Sequence, residues 1–345
     1  MNKILFSGGG TLGSTTPLLA IRDNLGSSDY EFIWVGTRFG PEDTLIEKKN
    51  IKFYPVFSGK IRRYLSVKNL IDPFKILLGL FQSIYILLKE KPDICISAGG
   101  FVSVPVHLSA WLLNIPTWVH QQDVKPGLSN KIMARFADKV TVALEESKNN
   151  FPNSPECIGN PLREEVYQGR EEKAKKVFNI KSDRPVIFVL GGGTGAKEIN
   201  ELIVNSLDKL NDFEIIHVVG PKRNSKTARK KEHQYDNYHV FEFLDDEMKH
   251  AYALADVVIC RAGFSTLTEL AALEIPAILV PKEGHQKMNS RAFSGPKNYI
   301  DFKQTEAELS DLLEKLMDAE VENADILNIT SEKKIDKIIR ELLEN

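Results

Sequence analysis

The sequence predicts an α/β protein made of two halves, each a doubly wound parallel sheet with helices on both faces. Short apolar runs typical of buried parallel strands recur along the chain, and many of them lead through a glycine turn into a helical pattern. Two of these turns are especially rich in glycine: the first glycine loop, 7–13, and the second, 191–196. Because 345 residues exceed one ordinary core, we expect two domains, 1–160 and 161–330. A terminal helix, 331–345, would pack back towards the first.

Composition excludes several classes of protein. The net charge of −2 gives no electrostatic reason to expect nucleic acid as a partner. Cys95, Cys157 and Cys260 are widely spaced in apolar sequence, which is typical of reduced core thiols in a cytoplasmic protein. No metal-ligand spacing occurs, so we expect neither a metal nor another cofactor. The chain begins directly with a strand pattern rather than a signal peptide, and its longest apolar run, 76–88, is too short to cross a bilayer.

The first half opens with a strand at 3–6, the first glycine loop and a helix over about 17–25. Glycines there allow close backbone approach, and a helix start directly behind them suits an anion or a polar ligand. The loop also fits the dinucleotide pattern G-x-G-x-x-G, which on its own is weak. The next strand, 32–35, ends in Gly36-Thr37 rather than in the acidic residue that an NAD ribose needs. A nicotinamide enzyme is therefore disfavoured.

Basic and apolar residues alternate between 59 and 90. Lys60, Arg62, Arg63, Lys68 and Lys75 are interleaved with aromatic and aliphatic side chains, a mixture typical of a surface that contacts anionic lipid headgroups. The alternative is a core helix over 76–88, with the basic residues on the solvated segment that leads into it. Both hold if the helix is half buried and its approach faces a membrane.

Two ionisable residues follow a later strand of this half. His120 and Asp123 come after the strand at 115–119, which places them on the same rim as the first glycine loop. A turn-rich stretch, 157–163, marks the domain boundary. Further strands are predicted at 92–97 and 139–143.

The second half repeats the plan of the first. A strand at 185–190 leads through the second glycine loop into a helix over about 197–210. That arrangement suits a pyrophosphate at the helix N-terminus, although Glu198 rules out a Walker loop. Strands are also predicted at 214–219 and 239–243.

The most informative stretch runs from Asp256 to Asn289, as strand, glycine turn, helix, strand and loop. Ligands of open α/β sheets bind at the carboxyl ends of the strands. Glu269, one turn into its helix, suits a sugar diol because a carboxylate can accept two hydroxyl hydrogen bonds. The alternative makes Glu269 an exposed helix residue paired with Arg261. The polar residues and glycine expected beside the ligand are Arg261, Gly263, Ser265, Glu269, Gln286 and Asn289.

Over almost its full length the chain resembles the MurG-type N-acetylglucosaminyltransferases, which convert lipid I to lipid II in peptidoglycan synthesis. The matching stretches, in order, are GGGTLGSTTPLLAI, SAGGFVS, HQQDVKPGLSNKIMARFA, GNPLR, LGGGTGAKEIN, CRAGFSTLTELAALEIPAILVP and HQKMN. The resemblance implies a GT-B fold, two Rossmann-like domains facing each other across a cleft. It also implies a peripheral protein on the cytoplasmic face of the inner membrane.

The resemblance further implies roles for individual residues. In the site for the donor, UDP-N-acetylglucosamine, the pyrophosphate would contact Gly192, Gly193, Thr194 and Arg163. The uracil would contact Leu244, the ribose would contact Glu269, and the sugar would contact Gln286. The lipid I site would include Thr11, Gly13, Ser14, Gly100, Phe101 and Gln122. Four positions depart from the family's usual residues. Ser14 stands in place of histidine, Gln121 in place of glutamate, Asp123 in place of asparagine and Gly193 in place of serine.

An inverting transfer needs a base at the acceptor hydroxyl and stabilisation of the departing UDP. We expect Asp123 or His120 to take the proton while Ser14 hydrogen-bonds the acceptor. In the alternative, His120 only orients other groups. Two other functions stay open: a UDP-N-acetylglucosamine 2-epimerase on the same scaffold, and a catalytically silent protein that binds the nucleotide sugar or the lipid.

Overall fold

The computed structural model describes residues 1–26, 29–40, 42–59, 68–152, 154–221, 225–294, 298–304, 308–318 and 327–344, and the side chains of residues 68–73 are left out of the description. The chain forms two compact units. The first unit comprises Met1–Arg163 and Leu327–Asn345, and the second comprises Glu164–Ile326.

The first unit contains a parallel sheet in the order β3-β2-β1-β4-β5-β6-β7. Its strands are β1 (Asn2–Ser7), β2 (Tyr30–Thr37), β3 (Lys52–Val56), β4 (Ile94–Ser97), β5 (Thr117–Gln121), β6 (Lys139–Val142) and β7 (Glu156–Cys157). The helices of this unit are α1 (Thr16–Leu25), α2 (Glu42–Lys48), α3 (Lys68–Glu90), α4 (Ser103–Leu112), α5 (Leu128–Met133) and, at the other end of the chain, α13 (Glu332–Leu343).

Side chains that alternate along β1 form a core on each face of this sheet. Ile4 and Phe6 belong to one apolar cluster, whereas Leu5 belongs to the other, which includes Val106 of α4. The first cluster also contains Ile335, Ile338, Ile339 and Leu342, the apolar stripe of α13. The last helix is therefore part of the first unit, where it contacts α1.

The second unit contains a parallel sheet in the order β10-β9-β8-β11-β12-β13. Its strands are β8 (Val186–Leu190), β9 (Glu214–Val218), β10 (Tyr238–Phe241), β11 (Val257–Cys260), β12 (Ala277–Leu279) and β13 (Tyr299–Asp301). The helices are α6 (Glu171–Val177), α7 (Lys197–Ser206), α8 (Ser225–Glu232), α9 (Met248–Leu254), α10 (Phe264–Leu273), α11 (His285–Phe293) and α12 (Leu309–Met317).

Both sheets reverse their strand order beside the first strand of the unit, which is the doubly wound arrangement. The predicted α/β class with two such sheets is confirmed. Each glycine loop directly follows that first strand, β1 in one unit and β8 in the other. Each therefore lies at the switch point of its sheet, where ligands of such folds bind.

Candidate functional site

In the second unit, the second glycine loop is shaped by close backbone contacts. A Cβ on Gly195 would lie 2.2 Å from the carbonyl oxygen of Val219, and one on Gly191 would lie 2.2 Å from the nitrogen of Ala196. At Gly192 the backbone has φ of +79°, and a Cβ there would meet no atom within 4 Å. The loop is thus packed on one side and open on the other, directly before the N-terminus of α7. Such a loop can present amides to a phosphate.

Two cations lie beside this loop and share one carboxylate. Arg261, directly after β11, donates to Oε2 of Glu198 at 2.9 Å and to the carbonyl oxygen of Val280 at 2.8 Å. Nζ of Lys303 lies 2.8 Å from Oε1 of the same carboxylate. Burial alone would raise the pKa of Glu198, but the hydrogen bonds from Lys303 and Arg261 outweigh it and lower the pKa. The suggested pairing of Arg261 with Glu269 is therefore wrong.

Glu269 is a buried carboxylate in α10 with 6% of its surface exposed. The Tyr252 hydroxyl donates to its Oε2 at 2.8 Å, and the Tyr252 ring packs edge-on against Phe188 at 5.3 Å. Burial, and to a lesser degree the negative charge of Glu269, raises the pKa of Cys260 to about 12. The alternative of an exposed helix residue is wrong for Glu269.

Other residues predicted for the UDP-N-acetylglucosamine site lie at the same sheet edge. The amide of Asn289, in α11, is buried and donates to the carbonyl oxygen of Ala262 at 3.2 Å, which fixes the turn after β11. Gln286 accepts from the backbone amide of Lys282 at 3.0 Å. The second unit also holds Gly193, Thr194, Leu244, Gly263 and Ser265, whereas Arg163 belongs to the first unit, as the last residue of its N-terminal segment.

In the first unit, three loops come together at the carboxyl edge of the sheet. A Cβ on Gly100, after β4, would lie 3.0 Å from the carbonyl oxygen of Gly9 and 3.5 Å from Oγ of Ser14. The side-chain amide of Gln122, after β5, donates to the carbonyl oxygen of Gly13. Four residues predicted for the lipid I site thus lie in one cluster, the acceptor cluster: Gly13, Ser14, Gly100 and Gln122. Thr11 accepts from the Ser14 hydroxyl at 3.3 Å, and Phe101 is half-buried next to Gly100.

His120 is buried, and both of its ring nitrogens are hydrogen-bonded. Nδ1 lies 2.9 Å from the hydroxyl of Thr141, and Nε2 lies 3.0 Å from Oδ1 of Asn160. Thr141 accepts from the Trp118 indole at 2.8 Å, so its own hydrogen can be donated to Nδ1, and Nε2 then carries the proton given to Asn160. Burial lowers the pKa of His120 to about 4, although the Asn160 bond opposes this. This neutral, fully bonded ring favours an orienting role over that of a base.

The turn that carries Asp123 is held by the Gln121 side chain. Its amide donates to the carbonyl oxygen of Asp123 at 2.6 Å and accepts from the Asn130 amide at 2.6 Å. A carboxylate in place of Gln121 could not donate to that carbonyl group. Asp123 itself is half-buried. Within the described ranges, no group of three His, Cys, Asp or Glu side chains could hold a metal ion.

Several polar side chains at these edges are not predicted by the sequence, among them Glu42, behind the first glycine loop, and Tyr252, on Glu269. Glu42 begins a short helix, where acidic residues are common for reasons of the helix dipole, and Tyr252 lies in an ordinary helical pattern. Neither position carries a local signal for its contact at the edge, because Gly10 lies 32 residues from Glu42 and Glu269 lies 17 residues from Tyr252.

Helix α3 buries one face and exposes an apolar one. Phe81, near its middle, is 61% exposed. Among the helices in the described part of the chain, none combines the length and apolar character needed to span a bilayer. The side chains of residues 60–73, which include most of the predicted basic residues, lie outside the described part. The exposed apolar side chains of α3 and of the end of α4 are Phe74, Leu77, Leu78, Phe81, Tyr85, Leu88, Trp111 and Leu112.

Comparison with known proteins identifies the family. Residues 4–142 match the glycosyltransferase family 28 N-terminal domain, and residues 186–343 match its C-terminal domain. The chain belongs to glycosyltransferase family 28. A relative from Clostridium perfringens is 37% identical over 99% of this chain and 97% of its own length. One from Clostridium tetani is 38% identical over 89% of this chain and 86% of its own. Both are named UDP-N-acetylglucosamine--N-acetylmuramyl-(pentapeptide) pyrophosphoryl-undecaprenol N-acetylglucosamine transferase.

Solved structures agree with the fold. The crystal structure of MurG from Acinetobacter baumannii matches with a TM-score of 0.70 and 25% identity, and the match covers 100% of both chains. A UDP-N-acetylglucosamine 2-epimerase from Neisseria meningitidis matches with a TM-score of 0.71 but only 16% identity, over 99% of this chain and 100% of its own. The epimerase likeness therefore concerns the fold alone, whereas the transferase likeness extends to the sequence.

Proposed function

We propose that this protein transfers N-acetylglucosamine from UDP-N-acetylglucosamine to lipid I, undecaprenyl-pyrophosphoryl-N-acetylmuramoyl-pentapeptide, to give lipid II. The observation that carries the proposal is the near full-length identity of 37% to a relative named for that reaction. The buried carboxylate of Glu269 and the open side of Gly192 support it, because they suit a ribose and a pyrophosphate.

The donor binds to the second unit in this proposal. The second glycine loop, through Gly192, Gly193 and Thr194, receives the pyrophosphate. Glu269 accepts the ribose hydroxyls and Leu244 meets the uracil through its backbone. Gln286 binds the hydroxyls of the sugar. Arg261, Ser265 and Asn289 complete the edge.

The reaction is an inverting displacement. The acceptor hydroxyl oxygen attacks C1 of the sugar, the bond from C1 to the UDP oxygen breaks, and UDP leaves with the bonding electrons. Asp123 takes the hydroxyl proton, since the His120 ring has both nitrogens engaged and a pKa lowered to about 4. His120 instead orients the rim, and Ser14 hydrogen-bonds the acceptor.

The apolar face of α3 docks on anionic lipid in this proposal, which makes the protein a peripheral one on the cytoplasmic face of the cell membrane. Exposed aromatic and aliphatic side chains along one helix are typical of interfacial binding. Co-sedimentation with vesicles of phosphatidylglycerol and phosphatidylcholine tests this directly. Phe81→Ser is expected to reduce the bound fraction, while the control Tyr167→Ser, an exposed ring of the second unit, keeps it. Equal binding by both variants and wild type would contradict the docking face.

Transfer of radiolabelled N-acetylglucosamine from its UDP donor to a short-chain lipid I analogue tests the reaction. We expect labelled disaccharide lipid from wild type, and Asp123→Ala is expected to lose turnover while still binding UDP. Release of epimerised free sugar would favour the epimerase instead. Tight donor binding without either product would identify a silent binding protein.

A further inference from the structure

A fully buried carboxylate lies directly behind the first glycine loop. Glu42, in the first turn of α2, has 0% of its surface exposed. An unpaired charge at such a depth would be strongly unfavourable, so its partners determine what it does.

Those partners are donors from two neighbouring strand ends. Oε2 of Glu42 accepts from the backbone amide of Gly10 at 3.1 Å. Oε1 accepts from the backbone amide of Thr37 at 2.8 Å, and also from the Thr37 hydroxyl. Hydrogen bonds to an ionised acceptor are stronger than neutral ones. Glu42 therefore ties the loop after β1 to the end of β2.

Two glycines leave the space that this carboxylate fills. A Cβ on Gly9 would lie 2.0 Å from Oε1 of Glu42, and one on Gly40 would lie 2.0 Å from Oε2. The shape of the first glycine loop and the position of the carboxylate are thus matched on both sides.

The same loop forms part of the predicted acceptor cluster. The carbonyl oxygen of Gly9 lies against Gly100, and Gly13 accepts from Gln122. In dinucleotide-binding halves, an acidic residue at the end of the second strand binds a ribose hydroxyl, and here Gly36-Thr37 stands at that place. Here the carboxylate of Glu42 accepts hydrogen bonds from the protein's own amides and from a hydroxyl. A substitution of Glu42 is therefore expected to alter the acceptor cluster through the loop backbone.

We propose that Glu42 is a positioning residue for the lipid acceptor: it holds the first glycine loop in the form that receives the acceptor diphosphate. This rests on the proposed transfer to lipid I. Glu42 acts through Gly9 and Gly10, and donor binding, which belongs to the other unit, does not depend on it.

The isosteric variant Glu42→Gln tests the assignment, because it keeps the volume, removes the charge and turns amide hydrogens towards backbone amides. We expect the KM for a short-chain lipid I analogue to rise by about tenfold, as when a buried bond to a charged group is lost. The Kd for UDP-N-acetylglucosamine should stay within about twofold of wild type, below the effect of one lost neutral hydrogen bond. A variant that merely destabilises the fold would not separate the two constants.

Thr37→Val is the matched, milder variant, since it removes one of three donors and keeps the backbone. Its acceptor KM is expected to rise by about threefold, the effect of one neutral hydrogen bond. If Glu42→Gln fails to fold, as a lost thermal transition would reveal, Thr37→Val decides. An acceptor KM equal to that of wild type in the folded Glu42→Gln protein, or otherwise in Thr37→Val, overturns the proposal.

Failure of the proposed function has a different signature. If wild type transfers no sugar, direct calorimetric titration with the lipid I analogue replaces the KM. Weaker binding by Glu42→Gln at unchanged UDP affinity then supports the positioning role, and equal binding overturns it.

Discussion

The two glycine loops are alike in sequence and opposite in what lies behind them. GGGTLG follows β1 and GGGTGA follows β8. Behind the first loop lies the carboxylate of Glu42, which accepts a hydrogen bond from the Gly10 amide. The second packs backbone on backbone at Gly195 and continues into α7, with Arg261 and Lys303 beside it.

This difference indicates which loop suits a nucleotide diphosphate. A helix N-terminus with two nearby cations attracts the diphosphate of a nucleotide, whereas in the first loop Glu42 already accepts the hydrogen bond of the Gly10 amide. The second loop is therefore the better place for UDP, and the first is shaped for a different ligand. Glu42 lies 32 residues after Gly10, so the pattern of glycines alone could not distinguish them.

The largest effect is expected from a substitution that disrupts the backbone packing of the second loop. In Gly195→Ala the new Cβ would lie 2.2 Å from the Val219 carbonyl oxygen at a φ of +73°. Overpacking and left-handed strain together are expected to lower the free energy of unfolding by about 3 to 5 kcal/mol. Thermal unfolding followed by circular dichroism measures it.

Gly192→Ala is its matched control. It shares the positive φ, +79°, but its Cβ would meet no atom within 4 Å. We therefore expect a loss of only about 1 to 2 kcal/mol, the cost of left-handed backbone. Equal losses in the two variants would contradict the packing argument.

A smaller effect is expected in the first loop, because there the obstacle is a side chain. In Gly9→Ala the Cβ would lie 2.0 Å from Oε1 of Glu42. Displacement of that carboxylate is expected to cost about 2 kcal/mol. The acceptor KM should rise while UDP affinity stays at the wild-type value, as measured by steady-state kinetics and calorimetry. A loss of UDP affinity would show that the loops are not independent.

The smallest effect concerns two of the buried histidines, one from each unit. His217 bonds the Tyr238 hydroxyl at 2.7 Å and Asn200 at 3.2 Å, whereas neither nitrogen of His107 has a hydrogen-bond partner among the described residues. Burial lowers the pKa of both from 6.5 to about 3. The unfolded chain therefore binds more protons below pH 6.5, so stability falls as the pH drops from there towards 3.

Replacing the two histidines separates these cases. His107→Leu is expected to raise the free energy of unfolding by about 1 kcal/mol, since it removes a buried group without partners. It should also flatten the loss of stability below pH 6.5. His217→Leu should instead destabilise, because it leaves the Tyr238 hydroxyl without this partner. Thermal unfolding between pH 7.5 and 4.5, on the scale of the ordinary histidine pKa, measures both. An unchanged pH dependence in His107→Leu would contradict the assignment.

Features that depend on local pattern were predictable from the sequence. The buried strands β1, β8 and β11 are continuous apolar runs, and the apolar stripe of α13 shows that this helix docks. The strand β3 was missed because it is an edge strand with mixed burial and carries Pro55, which only an edge strand tolerates.

Long-range partners were beyond local pattern. The pairing of Arg261 with Glu198 joins a strand end to a helix start 63 residues away, and no periodicity predicts which of several acids an arginine meets. The same holds for Glu42 with Gly10, and for the His120 ring, whose two bonds reach residues 21 and 40 positions away.

The central claim is that the second unit holds a uridine diphospho-sugar through its glycine loop and Glu269. Calorimetric titration with UDP tests it on wild type, Glu269→Gln and the control Glu214→Gln, a buried acid at the opposite, amino-terminal edge of the same sheet. We expect one UDP per wild-type chain, affinity about tenfold or more lower in Glu269→Gln, and unchanged affinity in the control. Wild-type affinity in Glu269→Gln would contradict the claim.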